Sequence, residues 1–373
     1  MDIQFFKKIS IPEKFGLFGK AKENILGIDI GASSVKIVQL KKEKERAILE
    51  TYGALATGPY ANLSVGQAAY LTETKAVEML KDLLKESGAK SKDAAVSVNL
   101  RNTFVTTMEI PSIIKGNLAD IIAIEARKYI PLPASEIIID WWAVPQISES
   151  FKENADSEKK TGEMEILLVA IYKDAIESYK KLLSKAGLNI QLFEIEIFSA
   201  VRACIGRETS PVLLLDLGAS GTKMAIVDYG IVRSVRSFDR GSQDLTLALS
   251  NSLGVDFGAA EKTKQEIGFS SRPEHKEIAG ILESIIQYIF SEANLFMADY
   301  RKKRNRSVSK VILTGGGASL KGIADIGIKN FGVEVILAAP FSKVEYPVFM
   351  QPVFKEAGPV FSTALGLALR GLQ

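Results

Sequence analysis

The sequence predicts an α/β protein of two similar lobes with a compact module inserted into the first. Two stretches, GIDIGASSVKIVQL from Gly27 and LLDLGASGTKMAIV from Leu214, share one pattern: apolar, Asp, apolar, Gly, Ala, Ser, a small or polar residue, then a strand carrying Lys. Such self-similarity marks internal duplication. Strand-sized apolar runs also alternate with segments of helical periodicity, as a layered α/β architecture requires. The third observation is length, because 373 residues exceed one ordinary core and call for two lobes or a lobe pair with an insertion.

Taken in order, Ile25 to Ile30 reads as a strand that turns at Gly31 to Ser34 and returns through Val35 to Leu40, a β-hairpin. A helix over Thr72 to Ser87 follows from Ala76, Met79, Leu80, Leu83 and Leu84 at helical spacing, with Gly88 as its stop. Ala94 to Leu100 alternates like a strand. Strand (Thr103 to Ile110), helix (Lys115 to Tyr129, ended by Pro131), strand (Ile137 to Val144) and strand (Glu165 to Tyr172) then make up the insertion, interrupted by a polar loop from Ser148 to Glu163 on which no structure is forced. Lys173 to Ala186 reads as a helix stopped by Gly187, and Leu188 to Phe193 with Ile197 to Ile205 returns to the first lobe. The second hairpin joins Val212 to Leu217 with Lys223 to Val227. Helices over Gln243 to Leu253, Gly258 to Glu266 and Glu274 to Arg304 precede a last strand, Val311 to Leu313, and a small-residue helix, Ser362 to Leu369, ends the chain.

Composition excludes several classes. With 47% hydrophobic and 24% charged residues the chain is an ordinary globular one, neither fibrous nor disordered. A net charge of +3 implies no nucleic-acid partner. One cysteine, Cys204, and one histidine, His275, leave no set of zinc ligands and suit a reducing cytoplasm. The head from Met1 to Lys22 lacks the features of a signal peptide. Its Phe5, Phe6, Ile9, Ile11, Phe15, Leu17 and Phe18 among lysines would lie on a membrane surface, on a partner, or against their own lobe.

Chemistry concentrates in the glycine turns. Glycines at a strand turn let the backbone come close enough for its N–H groups to surround phosphate oxygens, and Ser33, Ser34, Ser220 and Thr222 add hydroxyl donors. An aspartate at the end of each preceding strand, Asp29 and Asp216, would set two carboxylates beside one phosphate tail to hold hydrated magnesium. Lys36, returning on the second strand of its hairpin, would neutralise a β or γ phosphate. One Asp-x-Gly turn alone is more often a plain hairpin, whereas two matched copies with a TGGG turn at Thr314 favour a nucleotide.

In the order DIGASSVK, DLGASGTK, LTGGGASL the chain resembles the phosphate and adenosine motifs of the superfamily of actin, heat-shock chaperones and sugar kinases, from Ile25 to Leu369. The inserted unit resembles the SHS2 (1C) module of the FtsA and PilM families. Of these the PilM family of type IV pilus assembly is the better match, since FtsA proteins continue past the fold into a linker and an amphipathic helix.

The resemblance implies an actin-like, ribonuclease H-like ATPase fold that binds ATP and Mg2+. It divides the chain into an amphipathic head (1–24), a first lobe (25–100 and 173–207), the module (101–172), a second lobe (208–245 and 310–357) with a subdomain (246–309), and a returning helix (358–373). Asp29 and Asp216 would organise the metal. Gly31, Ser33, Ser34, Lys36, Gly218, Ser220 and Thr222 would surround the phosphates, Gly221, Gly241 and Ser242 would also bind the nucleotide, Glu261 and Lys264 would meet ribose and adenine, and Gly315, Gly316, Gly317 and Ser319 would pass under the adenosine. Glu196 stands where hydrolytic members position water, or else it caps its own helix. The implied partner is the cytoplasmic peptide of a PilN-like inner-membrane protein, with self-association open and membrane attachment through that partner or the head. An FtsA-like filament former and a small-molecule kinase are the rival functions, the latter without an acceptor signature.

Other residues divide more simply. Adjacent on a strand, Trp141 and Trp142 would face opposite sides, one into the module core and one to its surface. The basic run Arg301 to Arg306 reads as the solvated end of a long helix, and His275 as surface.

Overall fold

A computed structural model describes residues 23–111, 118–144 and 163–373. The aromatic head and almost all of the charged loop lie outside them.

The first lobe opens with β1 (Asn24–Ile30), β2 (Ser34–Glu43) and β3 (Arg46–Ala56), followed by α1 (Glu73–Ser87) and β4 (Asp93–Val98). The insertion is β5 (Thr103–Pro111), α2 (Leu118–Glu125), β6 (Ile137–Ala143) and β7 (Glu163–Tyr172), and the chain returns through α3 (Lys173–Lys185), β8 (Asn189–Ile195) and α4 (Glu196–Cys204). The second lobe holds β9 (Val212–Leu217), β10 (Thr222–Asp228), β11 (Ile231–Phe238), α5 (Ser242–Leu253), α6 (Phe257–Ile267), α7 (Lys276–Arg304), β12 (Lys310–Thr314), α8 (Ile323–Phe331) and β13 (Glu334–Leu337). Helices α9 (Gln351–Ala357) and α10 (Ser362–Gly371) close the chain.

Duplication extends to topology. The two five-stranded sheets run β3-β2-β1-β4-β8 and β11-β10-β9-β12-β13, the same order of third, second, first, fourth and fifth strand. In each, the first hairpin is antiparallel and the later strands join in parallel. The module has its own sheet, β5-β7-β6. Five elements had no clear signal, the helices α8 and α9 and three strands. β3 alternates poorly, with buried and exposed positions irregular along its length; β11 follows a tight turn at Tyr229 and Gly230, both at positive φ; and β13, only 4 residues long, makes Val311 to Leu313 the penultimate strand rather than the last.

Local chemistry sets the element ends. Thr72 accepts the N–H of Lys75 to cap α1, which Gly88 closes in the left-handed conformation. α10 is packed between β1 and α4 because two glycines permit it: a Cβ on Gly27 would lie 2.0 Å from the Ala364 carbonyl oxygen, and one on Gly366 would lie 1.9 Å from that of Ser199. A buried ion pair, Glu194 with Arg202 (2.5 and 2.6 Å), and the Arg202 bond to the Gly366 carbonyl (3.2 Å) fasten this layer.

The module is anchored on both sides. Trp141 packs on the module's own core with Met108, Ile122 and Ile166, as one of the pair should. Trp142 does not face the surface; it is buried in the cluster shared with Leu100 and Val169, which extends into both lobes. Glu165 on β7 accepts from Arg233 of β11 and from Arg304 at the end of α7. Arg306 grips Asp228 with Nε at 2.8 Å and Nη2 at 2.9 Å. Within the basic run, then, Arg304 and Arg306 are structural ties, because buried carboxylates on β7 and β10 lie within reach of the helix end.

Candidate functional site

The two glycine turns meet across one cleft of about 470 Å³ between the sheets. In register, Asp29 sits opposite Lys36 on β1 and β2, and Asp216 opposite Lys223 on β9 and β10. Side chains directly opposite on an antiparallel pair share a face, so each turn presents an acid and a lysine together. The turns close alike: the N–H of Gly31 donates to the Ser34 carbonyl at 3.1 Å, and that of Gly218 to the Gly221 carbonyl at 3.2 Å.

Each acid is fixed by its surroundings and only 7% exposed. Asp29 takes Lys36 Nζ at 3.2 Å on one oxygen and the Ser97 hydroxyl at 3.1 Å on the other. Lys223 Nζ lies 2.9 Å from Glu196 and 3.8 Å from Asp216. Burial alone would depress the Lys223 ammonium, but the Glu196 and Asp216 carboxylates outweigh it and hold it above its ordinary range.

Glu196 is the first residue of α4 but accepts no N–H from it. It reaches instead to the Leu100 N–H at 2.8 Å and to Lys223, so it makes no capping hydrogen bond, while its place in the first turn keeps it beside the positive end of the helix. Burial pushes its carboxyl up, while Lys223 pulls the other way.

The far wall is built by α5, α6 and the turn after β12. Lys264 is buried and donates to Glu261 (2.7 Å), the Thr246 hydroxyl (2.8 Å) and the Ser242 carbonyl (3.1 Å). Gly315, with φ of 84°, brings the backbone so near that a Cβ there would lie 2.2 Å from Asp216 Oδ1. Helices begin on the wall at Glu196, Ser242 and Ser362, so the positive ends of three dipoles border the cleft.

Of the residues singled out in sequence, Asp29, Gly31, Ser33, Ser34, Lys36, Glu196, Asp216, Gly218, Ser220, Gly221, Ser242, Glu261, Lys264, Gly315, Gly316, Gly317 and Ser319 all line this cleft. Thr222 and Gly241 do not. The Thr222 hydroxyl is fully buried and donates to the Arg240 carbonyl at 2.7 Å. Gly241 lies behind the second turn, where a Cβ would meet the Gly218 carbonyl oxygen at 2.4 Å, so its role is packing. Sequence reasoning passed over Lys223, Arg101, Asn99, Gln265 and Ser362, all of which line the cleft. Lys223 was legible, since it repeats Lys36 within the duplicated motif. Arg101 was not, because it meets Ser220 from a position 119 residues away.

A family model described as type IV pilus assembly protein PilM matches residues 27–372. The chain belongs to the PilM family. The match spans the duplicated turns, the module and the returning helix together, so the resemblance carried by DIGASSVK, DLGASGTK and LTGGGASL points to the right family. FtsA of Pseudomonas aeruginosa is 22% identical over 384 residues, covering 94% of this chain and 89% of FtsA. FtsA of Bacillus subtilis is also 22% identical, and there the chain matches 58% of that protein's length. Among solved structures, the PilM-PilN type IV pilus biogenesis complex superposes with a TM-score of 0.78 at 23% identity, over 95% of this chain and 99% of the other. EutJ from Carboxydothermus hydrogenoformans gives 0.53 at 16%, over 93% of this chain and 90% of the other. An MreB of Spiroplasma citri bound to AMPPNP gives 0.53 at 11%, over 93% and 96%. These likenesses carry the fold, which is actin-like. Among the described residues no helix is long and apolar enough to cross a membrane.

Proposed function

We propose that this PilM-family chain binds ATP with magnesium between its lobes and acts as a scaffold at the inner face of the cytoplasmic membrane. The observation that carries this is the pair of acid–lysine glycine turns converging, with Gly315 to Gly317, on one cleft. Its volume suits a nucleotide. The donor set also fits magnesium carried on phosphates. Among the described residues no group of three or more acids, histidines or cysteines could cage a metal. Two carboxylates at the phosphate end are what an ion that keeps most of its waters and phosphate oxygens requires. Asp29 and Asp216 would hold that hydrated ion, Lys36 and Lys223 would turn toward phosphate oxygens, and Ser242, Glu261 and Lys264 would border ribose and base. Magnesium, when bound, supplies charge neutralisation for the triphosphate.

Glu196 would orient water for slow hydrolysis, for which it must first leave Lys223 or share it with the phosphate. The partner proposed is the cytoplasmic N-terminal peptide of a PilN-like protein, held between the first lobe and the module. That assignment is drawn from the complex in which the similar PilM structure was solved.

Titration calorimetry with MgATP tests the nucleotide reading. The wild type should bind, and Asp29→Ala with Asp216→Ala should weaken binding at least tenfold. No heat from folded wild-type protein refutes it. A pull-down with the PilN-like peptide, with and without ATP, tests the partner, and failure under both conditions turns the reading toward an FtsA-like assembly.

A further inference from the structure

We propose that Arg101 is a further ligand of the bound nucleotide and the residue that makes the cleft prefer ATP to ADP. The inference rests on the nucleotide reading above and deepens it.

Charge accounting singles out this side chain. Among the described residues, Lys36, Arg101, Lys223 and Lys264 line the cleft against Asp29, Glu196, Asp216 and Glu261. The three lysines are each held by those acids, at 3.2, 2.9 and 2.7 Å. Arg101 alone is held by groups that are not lining acids. Its Nε and Nη2 reach Asp239 Oδ1 at 2.9 and 2.7 Å, Nη2 also donates to the Ser220 carbonyl at 2.9 Å, and Nη1 makes only a long contact, 3.4 Å, to the Tyr70 hydroxyl. Without it the side chains of the lining would carry one more carboxylate than cations, leaving magnesium alone to tip the balance toward a polyanion.

Position and ease of exchange point the same way. The Ser220 contact sets the guanidinium on the rim of the second phosphate turn, and a Cβ on Gly221 would lie 3.8 Å from Nη2. The Asp239 side chain is 78% exposed, so the present ion pair is a weak one that a phosphate can displace. Arginine's planar fork suits a phosphate's two oxygens better than a carboxylate shared through one oxygen. ATP brings one more phosphate and more negative charge than ADP to these turns, and Arg101 is the cation free to answer it.

The test compares MgATP and MgADP dissociation constants by calorimetry for the wild type, Arg101→Gln, Arg101→Lys, Asp239→Asn and Asp216→Ala, with thermal melts to confirm folding. Arg101→Gln should lose tenfold or more in ATP affinity, a charge-assisted bond's worth, but less than threefold for ADP. Arg101→Lys should recover part of the difference, and Asp239→Asn should leave ATP binding unchanged or tighter. If Arg101→Gln keeps the wild-type ratio while Asp216→Ala loses nucleotide, this proposal fails and the cleft reading stands. Should Asp239→Asn fall as far as Arg101→Gln, the carboxylate carries the effect and the proposal is overturned. A wild type without affinity for either nucleotide overturns both.

Discussion

Adjacent glycines in the TGGG turn separate structure from binding. At Gly315 the backbone has φ 84° and ψ 172°, a region open essentially to glycine alone, and forcing alanine into it costs about 1–3 kcal/mol. The added methyl would also lie 2.2 Å from Asp216 Oδ1 and 2.7 Å from the Leu217 carbonyl oxygen, an overpacking of about 1–3 kcal/mol. Gly315→Ala should therefore lose about 2–6 kcal/mol and displace the Asp216 carboxylate that the ligand needs. A Cβ on Gly316 would meet nothing within 4 Å, and the residue lines the cleft. Gly316→Ala should stay within about 0.5 kcal/mol of wild type and yet weaken MgATP. Denaturant midpoints followed by fluorescence, paired with calorimetry, read both quantities. Equal midpoints for the two variants, or wild-type ATP affinity in Gly315→Ala, would refute the reasoning.

Three further outcomes follow from buried groups. Burial lifts the Asp140 carboxyl from 3.8 to about 7. Its folded value is thus the higher, so it contributes stability at acid pH that is lost as pH rises from about 4 to about 7. Asp140→Asn should flatten that slope, by a few kcal/mol at most, in midpoints compared at pH 4.5 and 7.5. Lys223→Met strands Glu196, whose carboxyl burial already pushes up, and should cost roughly 3–5 kcal/mol at neutral pH, less at acid pH where Glu196 gains a proton. Adding Glu196→Gln should restore most of it, and a double mutant no better than the single one would contradict the pairing. Gly366→Ala must separate α10 from α4 and should lower the midpoint by about 1–3 kcal/mol or more, which a melt of the purified variant reads directly.

The duplicated half of the site was legible because its chemistry is local. Asp29 and Lys36 are 7 residues apart and meet across one hairpin, so the motif nearly draws the geometry. The same logic applies to Asp216 and Lys223. Contacts that depend on packing between lobes left no comparable trace. Arg101 meets Ser220 only because the two sheets face each other. One of Trp141 and Trp142 was expected at the surface because strand alternation says which face a side chain takes and nothing of what covers that face; Trp142 is covered instead. Arg304 and Arg306 looked solvated for the same reason: Glu165 and Asp228, their partners, are 139 and 78 residues away. Thr222 shows the converse. A hydroxyl in a phosphate-type motif was turned inward by the strand's alternation to satisfy the Arg240 carbonyl.

These long-range ties give the module a defined mechanical position. It joins the first lobe by chain at both ends, through Leu100 and Arg101 and through Tyr172 and Lys173, while Glu165 pairs with Arg233 and Arg304 of the second lobe. The junction itself touches the cleft twice, since Glu196 accepts the Leu100 N–H and Arg101 binds the Ser220 carbonyl. A relative rotation of the lobes must either carry the module with the second lobe or break the Glu165 pairs, which are only slightly exposed and costly to separate. Carrying it would bend the chain at Leu100 and Arg101, where the hydrogen bonds are those that a bound phosphate would compete for. The inserted module is thus tied at one end to two residues that border the cleft and at the other to the second lobe, so any rotation of that lobe across the cleft would be felt at Leu100 and Arg101.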